Sequence, residues 1–298
     1  MLYLDFAKNR EDFILEEEET LPLFCKKILY LFRKLTGRVI EYDIAGKNVV
    51  LISKLNQKTF KKLDKIFKTD VTKNVCVCDL LKENEEFVDF LEARNLNIMN
   101  GKWLFGYLVS DISEFICHKL DVTPEAQEIS VAVNEPNALV FETIKKLSDK
   151  VKNINIITNK IRKFEKLEKD VYEKNGLLLN VTNNFKKAGL KSRIIFNFDF
   201  DEKSFNKIIF LPDATIVNLQ KYIAVKQSNF HGRMVDFYSV NLPRKYQKIY
   251  SRLRNFNSSI LYESFIYKKT CAQNIWNEIQ NDKVEIIILE SQNKVVNF

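Results

Sequence analysis

EISVAVN (128–134), NINIITN (153–159), LLLNVTN (177–183), RIIFNFD (193–199) and ATIVNL (214–219) are five short apolar runs separated by polar or amphipathic stretches. The first four each end on Asn or Asp. Strands that are apolar on both faces and alternate with helix-length segments are what a parallel sheet covered by crossover helices requires. The spacing therefore predicts one parallel sheet with the first four runs as neighbours, joined by right-handed crossovers. Between the second and third runs, KIRKFEKLEKDVYEK (160–174) places Ile161, Phe164, Leu167 and Val171 on one side of a helix. Glu165 with Lys169 and Asp170 with Lys174 are acid-before-base pairs four apart on its solvated face. Asn175-Gly176 closes it as a left-handed cap.

Upstream, the alternation is similar but the runs are shorter. LYLDF reads as a strand, and Glu16–Glu19 followed by Thr20-Leu21-Pro22 reads as a helix start with Thr as cap. That helix carries Leu23, Lys27, Leu31 and Lys34 near one stripe, Phe24, Ile28 and Leu35 broaden the apolar face, and Gly37 ends it. RVIEYDI and NVVLIS flank Ala45-Gly46-Lys47 at hairpin spacing. A helix over 57–67, the strand VCVCD, a helix over 84–94, the strand LNIMN and one helix over 102–119 follow. DVTPEAQ (121–127) has the composition of a linker. Downstream, RKYQKIYSRLRNF after Pro243 reads as a helix with Tyr246, Ile249, Tyr250 and Leu253 on one face, a second helix covers 259–280, and KVEIIILE is a late strand at a sheet edge. These divisions predict an N-terminal α/β domain over 1–120, a second α/β domain over 121–243, and a C-terminal segment over 244–298 that packs back on them.

With 298 residues, 46% of them hydrophobic, the chain can bury two cores. Only 7 Gly and 5 Pro argue for regular structure and against glycine-lined phosphate loops. A net charge of +8 favours anionic partners without selecting one. Cys25, Cys76, Cys78, Cys117 and Cys271 have no disulfide-framework spacing, and only His118 and His231 could join them on a metal. Buried thiols in a reducing, cytoplasmic setting are the expectation. The early charges of MLYLDFAKNRED do not read as a signal peptide, and no run is long enough to span a membrane.

In open parallel sheets the ligand crevice lies outside the carboxyl ends of the strands. Asn134, Asn137, Asn159, Lys160 and Arg162 are therefore the candidate anion-binding residues, beside helix-capping and turn roles for the same side chains. Asp199, Asp201 and Glu202 form an acidic cluster in FNFDFDE, a pattern that can hold a divalent cation on a sugar-nucleotide diphosphate. Arg244, Lys248 and Arg252, interleaved with tyrosines, are compatible with nucleic-acid contact or with a docked surface helix. No nucleophile or acid–base constellation assembles, so no catalytic residue is assigned.

The run from Ile129 to Phe200 resembles the nucleotide-binding half of the shikimate dehydrogenase and glutamyl-tRNA reductase families. ITNKIRKFEKLEKD is similar to their second-strand segment, which ends in Asn-Arg-Thr or a close relative. RIIFNFD is similar to the strand that ends near the nicotinamide. The resemblance implies a Rossmann-like fold, with Asn159, Lys160 and Arg162 where those families hold the 2′-phosphate of NADP. At the turn where the families carry glycines, this chain has Val133-Asn134-Glu135-Pro136-Asn137-Ala138. Without glycines the backbone cannot approach a pyrophosphate closely, and Glu135 adds a negative charge there. The family's catalytic Lys and Asp have no match in the first domain, where Lys8, Lys54 and Asp79 are not singled out by their context.

The sequence thus predicts two Rossmann-like or flavodoxin-like α/β domains with mainly parallel sheets plus C-terminal helices. Its first functional reading is a non-catalytic interaction or scaffold protein with no cofactor expected, NADP being the weaker alternative, and with its partner open between a protein and a small anionic ligand. The second is a dehydrogenase-like protein binding a nucleotide or other small anion between its domains. The third is a glycosyltransferase-like enzyme using Asp199 and Asp201.

Overall fold

The computed structural model describes residues 1–7, 21–36, 39–69, 73–267 and 272–298. Lys8, the Glu16–Glu19 run, the Thr20 cap, Gly37 and Cys271 lie outside the described residues. The chain forms two compact units, Met1–Asn100 with Leu242–Tyr267, and Gly101–Asn241 with Lys268–Phe298.

The first stretch contributes β1 (Leu2–Phe6), α1 (Leu23–Thr36), β2 (Val39–Ile44), β3 (Lys47–Ile52), α2 (Gln57–Thr69), β4 (Asn74–Val77), α3 (Asp79–Lys82), α4 (Glu85–Glu92) and β5 (Asn97–Ile98). Their sheet runs β2-β3-β1-β4-β5, parallel except for the β2–β3 hairpin at one edge. The hairpin closes on Ala45 and Gly46, both at positive φ (49° and 78°), as a tight turn between right-twisted strands demands. β1 is central and buried, and it is fixed by the segment that returns at Leu242.

The second stretch begins with α5 (Lys102–Tyr107) and α6 (Val109–Lys119), where one helix is expected from the sequence. The break falls at Leu108, whose φ of −92° and ψ of 7° leave helical geometry while its side chain stays buried. Then come β6 (Glu128–Ala132), α7 (Ala138–Ser148), β7 (Asn153–Ile157), α8 (Glu165–Asn175), β8 (Leu179–Thr182), α9 (Phe185–Ala188), β9 (Ile194–Asn197), α10 (Glu202–Phe205), β10 (Thr215–Asn218), β11 (Arg233–Val235) and β12 (Phe237–Asn241). The sheet order is β11-β10-β9-β6-β7-β8, every pair parallel. Counted from β6, that is 3-2-1-4-5-6, the order of dinucleotide-binding Rossmann sheets. The expected neighbour relations among the first four runs hold. The helix of 160–174 opens as a 3-10 turn over Ile161–Phe164, and it ends where the sequence places it, on Gly176 at φ 67°.

One face of this sheet is packed by Ile195, Ile216, Phe205, Phe210 and Ile223. A polar chain also crosses the sheet. Asn180 Nδ2 donates to Asn155 Oδ1 (2.7 Å), Asn155 Nδ2 donates to Ser192 Oγ (3.2 Å), and the Ser192 and Ser130 hydroxyls share a bond of 2.9 Å. Asn155 and Ser130 are wholly buried.

The last stretch corrects three expectations. The basic segment after Pro243 is not one helix: a 3-10 turn over Arg244–Tyr246 and α11 (Gln247–Tyr250) precede a run of turns. The chain turns there because Asn255 reaches back to β1, donating to Asp5 Oδ1 (3.0 Å) and Phe6 O (3.2 Å), while Asn257 caps the next helix. In place of a helix over 259–280 there are two, α12 (Ser258–Ile266) and α13 (Ala272–Asp282). α12 belongs to the first unit, where Ser264 Oγ bonds the Tyr3 hydroxyl at 3.0 Å and Phe265 packs on the Tyr3 ring. β13 (Glu285–Ser291) is not at an edge of a larger sheet; it is the middle strand of a small antiparallel sheet with β12 and β14 (Lys294–Val295). In the second unit Trp276 of α13 donates its indole N–H to Tyr107 O at 2.7 Å. Tyr238 of β12 stacks on Phe105 and donates to Gly101 O at 3.0 Å.

Candidate functional site

The order of the Rossmann sheet reverses between β6 and β9, and the crevice of such sheets opens at that point, beyond the strand ends. The loop that follows β6 is Val133–Asn137, and Asp199 stands two residues beyond the end of β9. Asp199 spans the crevice. Its Oδ1 accepts the backbone N–H of Asn134 and its Oδ2 that of Glu135, each at 2.6 Å. Two adjacent amides gripping one carboxylate are a small anion cradle, and the anion here is part of the protein.

The other loop side chains are also engaged. Asn134 Oδ1 accepts from Asn159 Nδ2 (3.1 Å) and from the Asn159 N–H (3.4 Å), tying the ends of β6 and β7 together. Glu135 pairs with Lys160 and lies 3.9 Å from Lys163 Nζ. The hydrogen bond from Lys160, followed by the charges of both lysines, holds the Glu135 carboxyl below its usual range. Asn137 is the N-cap of α7 and accepts from Val140 N–H at 3.0 Å. None of the residues 133–138 is at positive φ, so the turn is built without the conformation that glycine supplies in phosphate loops.

Of the five residues expected to hold an anion, Asn134, Asn159 and Lys160 are thus brought together at the strand ends and joined through each other and Glu135. Asn137 serves as a helix cap. Arg162 is exposed in the 3-10 turn that precedes α8. The residue that sequence reasoning placed elsewhere is Asp199. It was singled out as half of an Asp-x-Asp cation pair, whereas it closes on backbone amides across the crevice. Asp201 meanwhile caps α10, accepting from Ser204 N–H at 2.8 Å, and Glu202 pairs with Lys226 at 2.6 Å. The signal was present in the chain order: an acid ending the fourth strand of a 3-2-1-4-5-6 sheet faces the loop of the first. An open cavity of about 400 Å³ adjoins these residues, lined by Asn197, Asp199, Asp201, Lys221 and Tyr222 among others.

Elsewhere, among the described residues, no group of three His, Cys, Asp or Glu side chains could hold a metal ion. Of the basic residues after Pro243, Arg244 and Lys248 are exposed and Arg252 is half-buried in the turns, so they do not share one helix face. Cys76, Cys78 and Cys117 are buried; burial raises all three thiols, Cys78 to about 12 and Cys117 to about 11. Cys25 is exposed on α1. In native protein, iodoacetamide is therefore expected to modify Cys25 rapidly and those three only after denaturant is added, as read by mass spectrometry of the digest. Rapid native labelling of Cys78 would show that β4 opens far more readily than a buried strand should.

No family model matches the chain, and no curated protein matches it. Solved structures with a similar trace include a shikimate dehydrogenase in complex with NADP+, 11% identical over 94% of each chain with a TM-score of 0.34. Another is the ornithine carbamoyltransferase of Pyrococcus furiosus, 12% identical over 88% of this chain and 83% of that one, TM-score 0.35. The iminosuccinate reductase of Paracoccus denitrificans in complex with NAD+ is 9% identical with a TM-score of 0.27; the match covers 39% of this chain and 36% of the reductase. The fold assignment rests on the strand order of the sheet itself. No helix among the described residues is long and apolar enough to cross a membrane.

Proposed function

We propose that this protein is a non-catalytic interaction or scaffold protein that keeps a Rossmann-like sheet and has closed its dinucleotide crevice with its own Asp199. The observation that carries this reading is the pair of 2.6 Å bonds from the Asn134 and Glu135 amides to that carboxylate. A pyrophosphate would have to displace a covalently tethered anion, at high local concentration, from a turn that lacks glycine. Glu135 and Asp199 would repel it as well.

Calorimetric titration with NAD, NADH, NADP and NADPH tests the reading. No saturable heat is expected at ligand concentrations up to the order of 1 mM, about −4 kcal/mol. A dissociation constant at or below about 10 μM, about −7 kcal/mol, would restore the dehydrogenase-like reading. Asp199→Ala is expected to lower stability by about 1–3 kcal/mol, since it removes two charge-assisted bonds at a half-exposed site.

The competing reading is a small anion held by Asn134, Asn137, Asn159, Lys160 and Arg162, and it draws on the convergence of Asn134, Asn159 and Lys160 at the strand ends. If it is right, phosphate or sulfate raises the melting temperature of wild type but not of Lys160→Ala/Arg162→Ala. Equal shifts in both would leave the scaffold reading in place.

A further inference from the structure

We propose that Asp111, Lys146 and Trp276 form a proton-operated clamp in the second unit, one that seats α13 more firmly on α7 as pH falls. Asp111 Oδ2, on α6, is buried and has no hydrogen-bond partner among the described residues. Two hydroxyls of the same helix pair, Ser110 Oγ on α6 and Thr143 Oγ1 on α7, are buried and unpartnered as well. Native interiors pair nearly all such groups, so three orphans on two packed helices call for a cause. The level of each side chain follows from the contacts at the two ends of the seam. A Cβ on Gly106 would meet Leu139 Cδ2 at 3.0 Å, and Lys150 pairs with Glu114. Asp111 stands one turn before Glu114 and Lys146 one turn before Lys150, so the acid and the lysine share a level.

Lys146 Nζ also lies 5.1 Å over the ring of Trp276, which belongs to α13. One ammonium is thus shared between a carboxylate on α6 and a ring on α13. The charges that bear on Asp111 are Lys146 and Lys150 from α7 and Glu114 from its own helix. Around them, Lys102 of α5 donates to Asp236 O, Glu290 of β13 accepts from Ser239, Glu285 at the start of β13 is exposed, and Glu125 acts on Cys117, almost two turns further along α6. Burial raises the Asp111 carboxyl, against the pull of Lys146 and Lys150, and burial lowers Lys146 against the pull of Asp111. The folded state therefore holds the Asp111 proton more tightly than the unfolded chain does. Its contribution to stability is full below the unfolded value of about 3.9 and is lost as pH rises through the folded one. Above that range the ionised carboxylate draws Lys146 toward α6; below it the neutral acid leaves Lys146 to the Trp276 ring.

The test is Asp111→Asn in the full chain, which keeps the shape of the side chain and removes its charge. Both tryptophans, Trp103 and Trp276, lie in the second unit, so urea unfolding followed by tryptophan emission reports on that unit. Near neutral pH the variant is expected to unfold at higher urea than wild type, with an unfolding equilibrium about tenfold smaller, because an unpaired buried charge costs more than an unpaired amide. The two should converge as pH falls toward about 4. In native wild type the tryptophan emission should show one step in the acid range, and that step should be missing from Asp111→Asn and from Lys146→Met. The proposal is overturned by parallel stability profiles, by an Asp111→Asn variant less stable than wild type near neutral pH, or by the absence of any emission step in wild type. It is overturned as well if the step persists in Asp111→Asn, or persists in Lys146→Met, since the lysine then has no part in carrying the proton's effect to Trp276.

Discussion

Asn155→Asp is expected to destabilise the protein by about 3–5 kcal/mol near pH 7 and by much less in acid. Asn155 is wholly buried in β7, between Asn180 on one side and Ser192 on the other. Aspartate has nearly the same shape, and its oxygens could still accept from Asn180 Nδ2 and from the Ser192 hydroxyl. What changes is a charge with no cation in this chain of hydrogen bonds. Burial raises the pKa of such a carboxyl in the folded state above its unfolded value of about 3.9. The folded state then binds the proton more tightly, so stability is lost as pH rises through the unfolded pKa toward the folded one and is regained as pH falls. Urea midpoints of wild type and variant should converge on acidification, after correction for the wild-type pH profile. Asn155→Leu is the uncharged companion, with a pH-independent loss of about 1–3 kcal/mol. Parallel pH profiles for Asn155→Asp and wild type would mean the site is wetter than its burial indicates.

Trp276→Ala should cost about 3–5 kcal/mol, the range for emptying a large aromatic site. Trp276 is 2% exposed; its indole bonds Tyr107 O, its ring meets the Tyr107 ring edge-on at 5.6 Å, and Lys146 Nζ lies 5.1 Å over it. Alanine leaves a cavity among α5, α7 and α13 and a carbonyl without its donor. Trp276→Phe separates the two losses, since it keeps most of the ring volume and deletes only the N–H; about 1–2 kcal/mol is expected. Thermal and urea unfolding of the two variants check the ranking. A smaller loss for alanine than for phenylalanine would show that α13 re-docks without its anchor.

The parts of the fold legible in the sequence are those where one physical requirement dominates. β6, β7 and β9 are buried on both faces, so Ile129, Val131 and Ala132, Ile154, Ile156 and Ile157, and Ile194–Phe196 had to be apolar, with Ser130 and Asn155 as the hydrogen-bonded exceptions, and the polar strand ends marked where the sheet stops. Gly46 and Gly176 marked turns that need positive φ. Where burial continues through a break, nothing local shows it: Leu108 interrupts α5 and α6 while remaining as apolar as its neighbours. The short strands β11 and β12 escaped for another reason. RMV and FYSVN are half-buried, and only a distant partner, Glu285–Ser291, gives β12 its ladder. The site was legible as a place and not as an arrangement. Asn134, Asn159 and Lys160 converge as their strand ends require, but the bonds from Asp199 depend on a residue 65 positions away, which no local pattern reports.

The two compact units are each written in two pieces, and that orders events on the ribosome. When Asn241 leaves the exit tunnel the first unit still lacks Leu242–Tyr267, hence the hydroxyl of Ser264 for Tyr3 and the amide of Asn255 for Asp5. The second still lacks Trp276 and the partner of β12. Neither core is complete until its second piece is made, Leu242–Tyr267 for the first unit and Lys268–Phe298 for the second, so a premature stop before α13 leaves the second unit unfinished and one before α12 spoils both. Co-translational chaperones would meet this protein with the strands of both parallel sheets already made and the packing helices α12 and α13 still to come.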